Sequence, residues 1–274
     1  MRIRATVPAR LNIIGEHTDY AGGLALPFAV EQKLILDVNL DCDTYIGDQT
    51  VIQLWKSAGG GPAELSVKSD IPIGKGMSSS AALCVAIAGC ANGEVETMES
   101  CFLAQKIENE ILGTECGLLD QMAMVFAKKG HASLIDFSTH TYEHVPIKDT
   151  WKFKLIDSGI HRNLADTNYR HKNVNQCLHV DEENRRVKIA IEASAEHLGV
   201  LLNQSHESLR QLGVSLPNMD TKVAEVQQKP GVFGARMMGG GFGGMILALV
   251  KDEDVIPEVP LAQSSGSAII EKFF

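Results

Sequence analysis

The chain has 274 residues, with 34 Asp and Glu against 25 Lys and Arg, a net charge of -9 and a mean hydropathy near zero. With 45% hydrophobic residues it can bury a sizeable core as one large domain or two ordinary ones. The acidic balance excludes nucleic-acid or anionic-membrane association, which needs clustered Lys and Arg, and no stretch approaches the roughly 18 apolar residues of a membrane span.

The opening residues MRIRATVPAR carry no apolar signal core. Cys42, Cys84, Cys90, Cys101, Cys116 and Cys177 form no C-x-x-C pair and have no His at ligand spacing. Reduced thiols in a cytoplasmic protein are therefore expected rather than zinc or disulfides.

In chain order, residues 34–40 are apolar and β-branched, and residues 51–56 and 64–69 alternate apolar with polar, so three short strands are expected. From Ser78 the run SSSAALCVAIAGCANG predicts a buried helix with serine N-cap candidates. Leu103, Ile107 and Ile111 repeat at helical spacing within a second helix over 97–112. Strands are expected at 131–137 and 153–157, a long polar helical stretch at 166–198, a further helix before Pro230, and the strand MILALV at 245–250. This irregular mixture predicts an α+β fold, with a domain boundary in the turn-rich segment 140–151.

Three segments carry chemistry. Pro72-Ile73-Gly74-Lys75-Gly76-Met77-Ser78-Ser79-Ser80-Ala81 is a glycine-serine loop opening onto a helix, where free N–H groups and the helix dipole favour phosphate. An N-capped helix after a turn fits this segment equally well, and it is not a Walker A loop, because Gly76 follows Lys75. Residues 8–23, PARLNIIGEHTDYAGG, pack Arg10, Glu16, His17 and Asp19 into a turn that could read sugar hydroxyls, though a solvated loop has the same composition. Gly239-Gly240-Gly241-Phe242-Gly243-Gly244 satisfies G-x-G-x-x-G, but it follows a helical pattern and precedes a strand, the reverse of a dinucleotide fingerprint.

Together and in this order, these segments resemble the sugar kinases of the GHMP superfamily, and within it the galactokinase family. Residues 8–23 are similar to that family's P-G-R-x-N-x-I-G-E-H-T-D-Y signature, with Ala9 for Gly; the loop at 72–81 to P-x-G-x-G-L-S-S-S-A, with Met77 for Leu; and 239–244 to its G-G-G-F-G-G element. Cys116-Gly117-Leu118-Leu119-Asp120-Gln121 and the stretch from Arg162 to Arg170 are similar to two further family segments.

The resemblance implies a two-domain GHMP kinase fold, with a ribosomal protein S5 domain 2-like part at 1–148 and a ferredoxin-like part at 149–274. It implies an ATP- and Mg²⁺-dependent sugar 1-kinase in which Asp120 acts on the anomeric hydroxyl and Arg10 lies beside it. Arg10, Glu16, His17, Asp19, Gly117, Asp120 and Tyr169 would bind sugar. Gly74, Lys75, Gly76, Met77, Ser78, Ser79 and Ser80 would cradle ATP phosphates, and Ser80 and Glu108 would hold magnesium, with Glu110 the competing acid. The expected partners are a small sugar and ATP, with neither nucleic acid nor membrane.

Galactose is the leading substrate. N-acetylgalactosamine, arabinose or galacturonate are alternatives, as is a non-catalytic sugar and ATP sensor, against which the complete Ser78-Ser79-Ser80 run argues. Little precedes Pro8 and the stretch between Gly23 and Ser69 is short for the family, a departure that bears on pocket walls and hence on sugar selectivity.

Overall fold

A computed structural model describes residues 1–160 and 174–274. Among the described residues the strands form three antiparallel sheets. The chain opens with β1 (Arg2–Asn12), passes through the two-residue β2 (Leu24–Ala25), and returns along β3 (Pro27–Asn39), which pairs with β1 over nearly its whole length. The register slips between Pro8, opposite Lys33, and Ala9, opposite Val30. A proline has no N–H to give a ladder, so the irregularity falls where pairing is weakest, and Arg10 follows immediately.

Residues 51–56, expected as a strand, are helical. Helix α1 (Gln49–Ser57) buries Val51, Ile52, Leu54 and Trp55, a spacing that suits one helix face better than an alternating strand. Asp48 caps it, its side chain accepting from the Thr50 and Val51 N–H groups. Then β4 (Glu64–Ser69) completes the sheet on the far side of β3.

Helix α2 (Ser79–Asn92) is made of small apolar residues buried all round, so it runs through the middle of the core and ends at Gly93 in the left-handed region. Against it lie α3 (Met98–Leu112), capped by Thr97, and the short α4 (Leu119–Val125). The next sheet joins β2 to β5 (His131–Asp136) and β6 (Thr141–Pro146). Strand β6 occupies part of the segment read as turns, because its side chains are mostly exposed and show no apolar alternation.

The third sheet has the order β7 (Lys152–Asp157), β9 (Met245–Val250), β8 (Val232–Met237). It is covered by α6 (Ala195–Leu212) and α7 (Pro217–Gln227), with α5 (Val174–Ala190) packed on α6. Within the stretch expected to be helical over 166–198, the structure shows α5 and the start of α6, separated by a break. The glycine run 239–244 follows strand β8 rather than a helix and links it to β9, so it is a hairpin connection and not a dinucleotide fingerprint. Finally β10 (Ile269–Phe273) returns to pair with β1. One core joins the first sheet, its helices and parts of α6 and β9; a smaller core, including Leu209, Met219, Val223 and Ile246, lies between α6, α7 and the third sheet.

Candidate active site

The turn leaving β1 is forced into a narrow shape by its own residues. Gly15 sits at φ +99°, and a Cβ there would meet the Leu24 carbonyl oxygen at 2.4 Å, so a side chain is excluded. His17 also lies at positive φ, and the Thr18 hydroxyl reaches both the Gly15 and Leu24 carbonyls at 2.9 Å. This folding drives Glu16, His17 and Asp19 inward, and all three line one cleft of about 480 Å³.

The acids of this turn have opposite electrostatics. Burial pushes the Glu16 carboxyl upward, but the Arg236 guanidinium, then Arg10 and the Gly239 N–H, bring it below the ordinary range. Asp19 differs: burial, and then the Asp120 charge, push it up to about 6 against the pull of the Leu119 and Tyr20 N–H groups. His17 Nδ1 lies 3.0 Å from the Tyr20 hydroxyl.

Gly117 precedes α4 and lets the backbone pass against Asp19, since a Cβ there would lie 2.0 Å from Asp19 Oδ2. Asp120 follows in the first turn of α4. Its Oδ1 accepts from Arg10 Nε at 2.6 Å and its Oδ2 from the Ser78 hydroxyl at 2.5 Å. Buried Arg10 also donates from Nη1 to the Gly76 carbonyl at 2.8 Å, tying β1, the 72–81 loop and α4 into one unit.

Ser78, at φ 60°, precedes α2 without capping it, its hydroxyl being committed to Asp120. The first N–H groups of α2 are therefore left without a side-chain cap at the cleft, beside Gly74, Gly76, Ser79 and Ser80. Lys75 and Met77 do not line the cleft. Lys75 pairs with Asp157 at the end of β7, and its carbonyl accepts from the Met245 N–H, while Met77 is buried in the core.

Ser80 donates to Glu108 Oε1 at 2.7 Å, and Gln121 Nε2 donates to Oε2 at 2.8 Å. Burial dominates over these neutral donors and pushes Glu108 up to about 7, the nearby Asp120 charge acting in the same direction. Glu110 is exposed on another face of α3. The Cys116 thiol points to Asn109 Oδ1 at 3.1 Å and is pushed well upward by burial and then by Glu108, which suits a packed thiol rather than a nucleophile.

The cleft thus brings together Arg10, Glu16, His17, Asp19, Gly117, Asp120, Gly74, Gly76, Ser78, Ser79, Ser80 and Glu108. Tyr169 and the stretch from Arg162 to Arg170 lie outside the described residues. Gly239 and Gly240 join the lining from the hairpin.

Sequence reasoning missed the residues that support the turn from the other side. On α5, His179 Nε2 meets the Glu16 carbonyl at 2.9 Å, Glu183 accepts from the Gly15 N–H at 3.0 Å, and Asn184 accepts from the Leu24 N–H at 2.7 Å. From β8, Arg236 reaches Glu16 and the Ile13 and Asn12 carbonyls. One charged side chain inside the otherwise apolar VFGARM strand was the available signal for Arg236; the α5 residues gave none within a polar helix.

Three family models match this chain: the galactokinase galactose-binding signature over residues 2–39, the GHMP kinases N terminal domain over 47–128, and the GHMP kinases C terminal over 186–262. The galactokinase of Thermotoga maritima is 34% identical over 315 aligned positions, which cover 92% of this chain and 89% of that one. That of Chloroflexus aggregans is 30% identical, covering 97% and 88%. An alignment of 315 positions is longer than the 274 residues here, so the Thermotoga maritima protein carries segments that this chain lacks.

Among solved structures, Lactococcus lactis galactokinase complexed with galactose superposes with a TM-score of 0.84 at 25% identity, covering 98% of this chain and 95% of that one. Methanococcus jannaschii mevalonate kinase shares the fold, with a TM-score of 0.73 at 20% identity over 97% and 98% of the two chains. With its signature turn, glycine-serine loop and glycine hairpin in one cleft, this chain belongs to the galactokinase family of the GHMP kinases.

Proposed function

We propose that this protein is an ATP-dependent galactokinase, transferring the γ-phosphoryl group of ATP to the anomeric hydroxyl of galactose. The observation that carries the reading is the Arg10–Asp120–Ser78 constellation, which sets a carboxylate, a guanidinium and the phosphate loop against one another within hydrogen-bond distance. Glu16, His17, Asp19 and Gly117 would form the sugar end of the cleft, and Gly74, Gly76, Ser78, Ser79 and Ser80 with the start of α2 its phosphate end.

Asp120 would accept or orient the anomeric hydroxyl proton while Arg10 offsets charge on the passing phosphoryl group. Phosphoryl transfer depends mainly on positioning and charge neutralisation, so two groups held at 2.6 Å supply much of what it needs. Ser79, Ser80 and the uncapped N–H groups of α2 would meet the nucleotide phosphates.

Ser80 and Glu108 fit magnesium, because a buried carboxylate held by neutral donors would sit at the phosphate end and offer hard oxygen ligands. When bound, the ion neutralises charge on the nucleotide phosphates. Tyr169 is retained as a sugar residue on the resemblance alone. The same reading divides the chain at 148/149, with β10 returning to the first sheet. No described helix is long and apolar enough to cross a membrane, and the six cysteines are free thiols, in keeping with work in the cytoplasm.

A coupled ADP-release assay across galactose, N-acetylgalactosamine, arabinose, galacturonate and glucose tests the assignment. Galactose is expected to give the highest kcat/KM. A higher value for another sugar would move the substrate, and ADP release with none of them would overturn the kinase reading.

A further inference from the structure

We propose that Arg236, from the C-terminal sheet, is a positioning residue for sugar recognition: it commits one oxygen of Glu16 to protein donors so that the other is presented to the sugar. The guanidinium is fully buried in β8, a strand whose other side chains are apolar or glycine. Its Nε donates to the Ile13 carbonyl at 2.9 Å, Nη2 to the Asn12 carbonyl at 2.5 Å and Nη1 to the Met237 carbonyl at 2.8 Å. Both Nη groups also lie 3.3 Å from Glu16, and both address the same atom, Oε1.

The Gly239 N–H donates to that same oxygen at 2.8 Å. Three donors from the hairpin thus converge on Oε1, and Glu16 itself lines the cleft beside Asp19 and Asp120. A buried guanidinium is costly unless its donors are met, and an apolar residue would join β8 to β1 at less cost. What the arginine adds is a planar fork that fixes the direction of a carboxylate and keeps it charged, which a lysine cannot reproduce with a point charge. The glycine hairpin and the sugar signature, some 220 residues apart in sequence, therefore act on one side chain.

This inference rests on galactose phosphorylation as the activity, and the test separates the two. Arg236→Lys keeps the charge and loses the fork; the galactose KM is expected to rise by about tenfold or more, with the ATP KM unchanged and kcat within about threefold of wild type. In a Glu16→Gln background, which by itself raises the galactose KM, the same substitution should add nothing further. Equal effects in both backgrounds, or galactose and ATP KM values rising together, would mean that Arg236 merely supports the fold.

Should Arg236→Lys fail to fold, hydrogen exchange on the wild type decides: galactose should slow amide exchange over residues 236–241, and Glu16→Gln should abolish that slowing. No slowing in the wild type would overturn the proposal. A wild type that phosphorylates no galactose would instead sink the parent reading, whereas an active wild type with an unchanged galactose KM in Arg236→Lys would sink this inference alone.

Discussion

Arg10 Nε donates to Asp120 Oδ1 at 2.6 Å while the same guanidinium holds the Gly76 carbonyl at 2.8 Å, so one buried side chain sets the distance between the Asp120 carboxylate and the glycine-serine loop at 72–81. Asp120→Asn keeps the shape of this arrangement and removes the charge. A loss in kcat of about 10²- to 10⁴-fold is expected, with galactose affinity by calorimetry within a few-fold of wild type. Near-normal turnover would remove Asp120 from its role.

Asp19 carries a pH dependence. Burial pushes its carboxyl up to about 6 in the folded protein against an ordinary 3.8, and on the proposed reading sugar hydroxyls would donate to the ionised form. Galactose affinity should therefore fall as pH drops through 6, by about tenfold between pH 7 and pH 5. The stability sign is opposite: the raised pKa favours the folded state below about pH 4, and that contribution is lost as pH rises through 6. Asp19→Asn should then raise Tm at pH 7, by an amount on the order of 2 kcal/mol in stability, while weakening galactose binding and flattening its pH profile. Titrations at pH 5 and pH 7 on both proteins check this, and a steep profile in the variant would assign the effect elsewhere.

Gly117→Ala tests the close approach between the 116–121 segment and the signature turn. The added Cβ would lie 2.0 Å from Asp19 Oδ2, so the carboxylate or the backbone must move. The galactose KM should rise by about tenfold or more with the ATP KM unchanged, since the added Cβ meets Asp19 and not the 72–81 loop. An unchanged galactose KM would show that Asp19 does not set the sugar position.

Glu108→Gln removes the buried carboxylate beside Ser80 and keeps its size. The magnesium concentration for half-maximal rate should rise by about tenfold or more, with galactose affinity by calorimetry unaltered. An unaltered magnesium requirement would point to another oxygen donor.

The sequence made local features legible where pattern and cap agreed. The strand at 64–69 and the Thr97-capped helix were readable because their apolar positions repeat at one period, and MILALV because it is an unbroken apolar run that follows a glycine. Residues 51–56 were misread: apolar positions 51, 52, 54 and 55 follow a helix face rather than strict alternation, and the supporting cue, Asp48 as N-cap, lies outside that short window. Strand β6 escaped notice because its exposed face has no alternation to detect.

At the site, the family signatures pointed to Arg10, Asp19 and Asp120, yet their contacts join residues about a hundred positions apart. Arg236 and Glu183 act on the same turn from still farther along the chain, and a single sequence holds no record of such pairings.

The most direct test of the whole account is phosphorus NMR on the wild-type protein incubated with galactose, ATP and magnesium. The account predicts one new phosphomonoester resonance, that of galactose phosphorylated at its anomeric oxygen, growing in step with ADP and absent in Asp120→Asn. ADP formation without that resonance, or phosphate carried at another carbon of the sugar, would contradict it.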